Sequence, residues 1–192
     1  MKQFTFIALL ALLLGGPARA DWMLNGDAST VSFVSTKAIN VAEVHRFGNL
    51  SGNVDSAGQA SISIDLASVN TGIELRDERM REMLFDTVNF ATAAVAAKID
   101  ADAVAGLAPG ESVAMAVTAM LTLHGETREL PLNLVVARLG DSRLLVVSKE
   151  PVIVNASQFR LAEGVQALQE IAGLPSISFA VPVSFVLSFD MK

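Results

Sequence analysis

The sequence predicts a mostly β protein of about eight antiparallel strands, closed as a meander barrel or packed as a sandwich, with two short helices. Three observations predict it. Apolar residues alternate with polar or small ones along several stretches, the period of a strand with one buried face. Turn signals separate these stretches at even spacing: Ser56-Ala57-Gly58, Pro109-Gly110, His124-Gly125 and Gly140-Asp141. Only two segments carry helical spacing instead.

The chain opens with a segment that is not part of this pattern. Lys2 is followed by an apolar run from Phe4 to Leu14, then by Gly15, Gly16 and Pro17, and by Ala18-Arg19-Ala20. The run is shorter than the roughly 20 residues that span a bilayer as a helix. Small residues at 18 and 20 fit the positions a signal peptidase reads. Residues 1–20 are therefore expected to be a cleavable signal peptide, with cleavage after Ala20 and a periplasmic destination. The chain has no cysteine, so a lipoprotein anchor is excluded and the protein is expected not to be membrane-anchored.

Removing 20 of the 192 residues leaves 172, enough for one domain (21–192) with a core of its own. One Lys and one Arg go with them, so 12 basic residues face 20 acidic ones, a formal net charge of −8. Such a surface repels nucleic acid and anionic lipid headgroups. The absence of cysteine also excludes disulfides, thiolate catalysis and iron–sulfur clusters.

The strands follow in order. Val31 and Phe33 mark the first, and Asn49 to Val54 a weaker second. Ile62, Ile64 and Leu66 alternate with Ser61, Ser63 and Asp65, and Ala94 to Ile99 is a small-residue strand. Val113, Met115, Val117, Ala119, Leu121 and Leu123 form one face of a long strand. Leu130, Leu132, Leu134 and Val136 alternate with Glu129, Pro131 and Asn133, and Leu144 to Ser148 follows. The last strand has Ile177, Phe179, Val181, Val183, Phe185, Leu187 and Phe189 on one face. Pro182 inside it points to an edge or bulge, from which a homodimer could pair.

Two helices interrupt the strands. Thr71-Gly72-Ile73-Glu74 has the form of a capping box, and Ile73, Met80, Met83 and Leu84 follow at helical spacing. Asp77 and Arg81 stand at i,i+4, so Gly72 to Phe85 is predicted to be an amphipathic helix whose charged run (Glu74, Arg76, Asp77, Glu78, Arg79, Arg81, Glu82) is solvated. The second runs from Ala162 to Ala172, with Leu161, Val165 and Leu168 on one face and Gly173 and Pro175 as its stop.

Catalytic and cofactor motifs are missing: there is no G-x-S-x-G elbow, phosphate-binding loop or G-x-G-x-x-G fingerprint. His45 and His124 read as loop and turn residues rather than metal ligands or an acid–base pair. A Ser–His–Asp triad has members adjacent in space, not sequence, and nothing in the chain points to one. No metal and no cofactor are called for.

Three stretches carry a family resemblance. Residues 68–77 read Ser68-Val69-Asn70-Thr71-Gly72-Ile73-Glu74-Leu75-Arg76-Asp77, and residues 121–128 read Leu121-Thr122-Leu123-His124-Gly125-Glu126-Thr127-Arg128. They resemble the S-V-D/N-T-x-x-x-x-R-D segment and the L-T-[IL]-x-G-x-T-[KR] hairpin of the YceI-like family. Trp22 and Val31-Ser32-Phe33 fit the family's opening strand. The sequence departs from the family pattern at Met83-Leu84-Phe85-Asp86, where a double Phe and Asp are usual. It departs again at Ser157-Gln158-Phe159-Arg160-Leu161, where Gln158 and Arg160 stand at acidic and glycine positions.

The resemblance implies an eight-stranded, antiparallel, lipocalin-like barrel with an elongated apolar lumen that binds a polyisoprenoid or other long apolar molecule. Combined with the alternation, it makes the inner faces candidate ligand-binding positions: Phe33, Ile64, Leu66, Met80, Met83, Leu84, Val113, Met115, Val117, Ala119, Leu121, Leu132, Leu134, Phe179, Val181, Val183 and Phe185. At about 25 cal/mol per Å², burying a long alkyl chain gives roughly 10 kcal/mol before association costs. The expected function is a non-enzymatic carrier of an apolar small molecule. The alternatives are a stress-protective interaction module with a filled barrel and, less favoured, a hydrolase-type enzyme with His45 or His124 as acid–base.

Overall fold

The structure, a computed structural model, describes residues 21–192; the signal-peptide expectation lies outside the described residues. Eleven strands form one antiparallel sheet: β1 (Trp22–Lys37), β2 (Val41–Phe47), β3 (Leu50–Val54), β4 (Gln59–Asp65), β5 (Val69–Asn70), β6 (Thr92–Lys98), β7 (Ser112–Leu123), β8 (Glu126–Arg138), β9 (Arg143–Ser148), β10 (Val152–Asn155) and β11 (Ala180–Met191). The order β11-β9-β8-β7-β6-β4-β3-β1 closes on itself because β1 also pairs with β11. This is a closed eight-stranded barrel, not a sandwich, and it has no open edge within the ring.

The closing seam runs from Trp22–Met191 to Phe33–Val183, with a register shift between Asn25 and Thr30. Ser29 fills in for the interrupted ladder: its Oγ accepts from the Ser188 amide at 2.9 Å. Asp190 ties three strands together, accepting from Asn25 Nδ2 on β1 and from Arg143 Nε on β9, each at 2.8 Å. Long β1 and β11 run past the ring. The outer half of β1 pairs with β2, and the first residues of β11 pair with β10. Both short strands lie outside the sequence prediction. β11 is thus not an edge at Pro182, which faces Ile153 of β10; the open ends of the sheet are β5 and β10. The expected homodimer therefore loses the edge assigned to it.

The β7–β8 hairpin turns on two residues, His124 and Gly125, both at positive φ (49° and 78°), as such a turn requires. At one end of the barrel α2 (Ala101–Ala105) is capped by Asp100, whose side chain accepts from the amides of Asp102 and Ala103, and buries Val104. The sequence reading missed this single turn.

At the other end lie α1 (Glu74–Arg79), a wide π turn over Met80–Leu84, and α3 (Ala162–Ile171). The predicted helix from Gly72 to Phe85 is corrected in three respects. Its second half is a π turn, with the Phe85 amide donating to the Met80 carbonyl. Thr71 does not cap Glu74: its amide and hydroxyl both donate to Asp77 Oδ1, at 2.8 and 2.5 Å, so Asp77 is engaged there and makes no pair with Arg81. Ile73 is exposed and Met83 is 37% exposed, while Met80 is buried. α3 packs on the π turn through Gly164, where a Cβ would come 2.6 Å from the Met83 carbonyl oxygen and 2.8 Å from Leu84 Cα.

Candidate functional site

The inner faces of the ring enclose a cavity of about 600 Å³, within the range of small-molecule sites. Of the candidate residues, Phe33, Ile64, Leu66, Met80, Leu84, Val117, Ala119, Leu121, Leu132, Leu134, Val181, Val183 and Phe185 line it. Met83, Val113, Met115 and Phe179 do not. Met83 lies on the outer side of the π turn. Val113, Met115 and Phe179 are half-buried and pack against the core instead. Beyond the named candidates, Ala93, Val95 and Ala97 of β6 and Leu168 and Ile171 of α3 also line the cavity. The small β6 side chains leave room where larger ones would fill the lumen.

The walls are apolar along most of their length. They become polar toward α1. On β1 the inward positions run Val31, Phe33, Ser35, Lys37; on β2 they run Phe47, His45, Glu43. Phe33 touches both Phe47 and His45, with ring centroids 5.3 and 5.2 Å away. His45 is only 2% exposed, so it is neither a loop nor a surface residue. Its Nε2 is 2.8 Å from Ser35 Oγ, and its Nδ1 is buried without a hydrogen-bond partner. Burial, and then the nearby Arg76 guanidinium, hold its pKa below the ordinary imidazole value.

Arg76 and Arg79 bring α1 into this end of the cavity, so the charged run is not wholly solvated. Arg76 donates to Glu43 at 2.6 Å and to the Thr71 carbonyl at 2.7 Å, while its Nε is buried and unpartnered. Lys37 pairs with Glu43 at 2.9 Å, and this contact first, with Arg76 adding to it, holds the Glu43 carboxyl below its usual range.

The arrangement bears on catalysis and metals. Ser35 and His45 have the spacing of a nucleophile–base pair, but Nδ1 meets no carboxylate to orient the ring. His124 does not line the cavity; its ring lies 4.3 Å from Phe90 in the β7–β8 turn. Among the described residues no group of three or more His, Asp or Glu is placed to hold a metal ion, and no helix is long and apolar enough to cross a membrane.

A closed eight-stranded antiparallel barrel around an apolar lumen defines a lipocalin-like protein. The family follows from the whole of the barrel: the YceI-like domain matches residues 22–189, and the chain belongs to that family. It is similar to a polyisoprenoid binding domain from Saccharophagus degradans implicated in plant cell wall breakdown, with 42% identity, a TM-score of 0.87, and 89% of this chain and 98% of that one covered. More distant likenesses show the fold alone. BcnA from Burkholderia cenocepacia is 22% identical with a TM-score of 0.65, covering 86% of this chain and 98% of that one. The YCEI protein of Campylobacter jejuni is 14% identical with a TM-score of 0.55, covering 77% and 84%. None of the curated proteins matches the chain.

Proposed function

We propose that this protein is an exported, non-enzymatic carrier that holds a polyisoprenoid or similar long apolar molecule in its barrel. The observation that carries the reading is the 600 Å³ cavity itself, walled by apolar side chains from every strand of the ring. A barrel of this size is either filled by side chains or holds one ligand, and here the inner Ala residues of β6 and β7 leave the space open. The similarity to a polyisoprenoid binding domain supports the same ligand class. Signal peptide 1–20, cleavage after Ala20, a single domain over 21–192 and a periplasmic destination belong to this proposal. A molecule with a long apolar chain cannot cross water unaided, which is the use for a carrier between membranes.

Protein purified from its host, analysed by native mass spectrometry and organic extraction, is expected to carry a co-purifying lipid and to start at Asp21. Repeated absence of any lipid, together with no binding of a prenyl probe, would remove the carrier reading.

A further inference from the structure

The cavity reaches the surface at both ends: Ile171 at the end of α3 and Met191 at the end of β11 both line it, and they are 49% and 37% exposed. The surfaces around the two openings differ. At the α1 end the β1–β2 hairpin stands beside the opening, with Ala38, Ile39 and Asn40 as its turn. Its position is fixed. The Ala38 amide donates to the Ser176 carbonyl at 2.9 Å and the Ile39 amide to Ser176 Oγ at 3.3 Å, beyond the end of α3. Glu43 of β2 accepts from Arg76 of α1.

Ile39 at the tip of this hairpin is unusual in two ways. Its φ is 70°, in the left-handed region where a β-branched residue is an outlier and Gly or Asn is the usual choice. It is also 76% exposed, so no packing within the protein offsets that strain. An apolar side chain held out in water by an unfavourable backbone points to a contact outside the chain. Val41 and Val44 of β2, Ile73 and Leu75 at the start of α1, and Ile171 are further exposed apolar residues at this end. The charges that line the opening are Lys37, Arg76 and Arg79. Lys37 and Arg76 share Glu43, while Glu74 and Glu78 of α1 are exposed and do not line the cavity. At the α2 end Asp100, Asp102, Glu111 and Asp141 are exposed, and the lining cation Arg138 already donates to three backbone carbonyls.

We propose that the α1 end of the barrel docks on a zwitterionic phospholipid bilayer, with the Ile39 tip entering the interface and Lys37, Arg76 and Arg79 facing the phosphate plane, so that cargo passes between bilayer and lumen without crossing water. This rests on the carrier reading and adds to it the surface through which loading and release occur. The apolar residues surround the opening of an apolar lumen, so the patch and the cavity form one continuous surface. The phosphate plane supplies acceptors for the cations at the opening, whose stems pack along apolar neighbours. A bilayer without net charge spares the acidic body of the protein the repulsion that an anionic one imposes. A few apolar side chains give brief attachment rather than anchoring, as a carrier that must leave again requires.

The test loads the purified protein with dansyl-labelled geranylgeraniol and follows its transfer to vesicles. The vesicles contain phosphatidylethanolamine and phosphatidylcholine in equal parts, with a rhodamine lipid as energy acceptor. The transfer rate is expected to rise with vesicle concentration, because collision sets it. Ile39→Asn suits the left-handed turn and is expected to lower that rate about tenfold, the effect of withdrawing one apolar side chain from the interface. Its equilibrium probe binding and thermal midpoint are expected to stay at the wild-type values. Ile39→Leu is expected to keep the wild-type rate, and so is Leu139→Asn, at a 48% exposed residue of the α2 end. A rate independent of vesicle concentration, a wild-type rate for Ile39→Asn, or an equal loss in Leu139→Asn would overturn docking through the α1 end while leaving the carrier reading intact. A dimer in sedimentation velocity that Ile39→Asn dissociates, with transfer unchanged, would assign the tip to a second copy and overturn the membrane contact. Failure of the wild type to bind the probe would overturn the carrier reading, and this inference with it.

Discussion

Ser35 Oγ lies 2.8 Å from His45 Nε2, from adjacent strands and on the cavity side of the wall. This contact marks where the apolar lumen becomes polar. It places a histidine where protonation is opposed by burial and by Arg76.

That placement sets a pH dependence. The folded pKa of His45 is below its unfolded value of about 6.5. As pH falls through that value the unfolded chain takes up a proton that the folded one does not, so stability declines, by at most about 1.4 kcal/mol per pH unit. Above it this histidine contributes no slope. The lowered carboxyls of Glu43 and Asp190 act in the same direction but only at lower pH, where carboxylates protonate. Lys37, Glu43, Arg76 and Asp77 are the charges around the ring. Thermal midpoints are expected to drop between pH 7.5 and 5.5, and His45→Gln is expected to flatten that drop. Parallel pH profiles for both proteins would contradict this.

Val117 faces the cavity from β7, paired with Leu132 of β8. Val117→Phe adds volume to open space rather than to a packed core, so it should cost less than the roughly 1–3 kcal/mol of ordinary overpacking. It should weaken a long-chain apolar probe about tenfold. Unchanged binding, measured by fluorescence titration, would mean that the chain does not pass this point.

Gly164 allows α3 to rest on the π turn. In Gly164→Ala the new Cβ meets backbone, which cannot rotate away. Helix propensity alone favours the substitution by about 1 kcal/mol, but separating α3 from Met83 and Leu84 costs more. A net loss of about 1–2 kcal/mol is expected in denaturant unfolding. A stabilised variant would show that the contact is dispensable.

Arg160 sits at a left-handed φ of 55°, where the family pattern has glycine, and pairs through Nε with Glu126 at 2.5 Å. Its side chain is 77% exposed, so the pair contributes little. Arg160→Ala and Arg160→Gly both remove it, but only Gly is relaxed in this conformation. The Gly variant is expected to be more stable than the Ala variant by about 1 kcal/mol. Equal midpoints in parallel thermal melts would count against strain at this residue.

Much of the barrel was legible because strand alternation is local. Leu130 to Val136 and Ile62 to Leu66 show it without ambiguity, and His124-Gly125 identified its hairpin. β2 escaped because its inward positions are Glu43, His45 and Phe47, which do not read as a buried face. A signal was present: Ser35, Lys37 and His45 keep the inward phase of Phe33 across the β1–β2 ladder. β10 is four residues long and α2 five, too short for periodicity to register. Met83 was misplaced because the π turn shifts the helical phase by one residue, rotating it away from the lumen.

The sequence by itself determined a mostly β chain, its main hairpins, its lack of thiol chemistry and its membership in a recognisable family, since each of these depends on neighbouring residues or composition. Tertiary structure decided the rest. Closure of β1 onto β11 joins the two ends of the chain and turns a meander into a ring. The polar end of the cavity exists only because β1, β2 and α1 bring Ser35, His45 and Arg76 together. Burial then changes what those side chains are: a histidine that reads as a loop residue becomes a buried one, its Nε2 against Ser35 Oγ and its pKa held below the ordinary imidazole value.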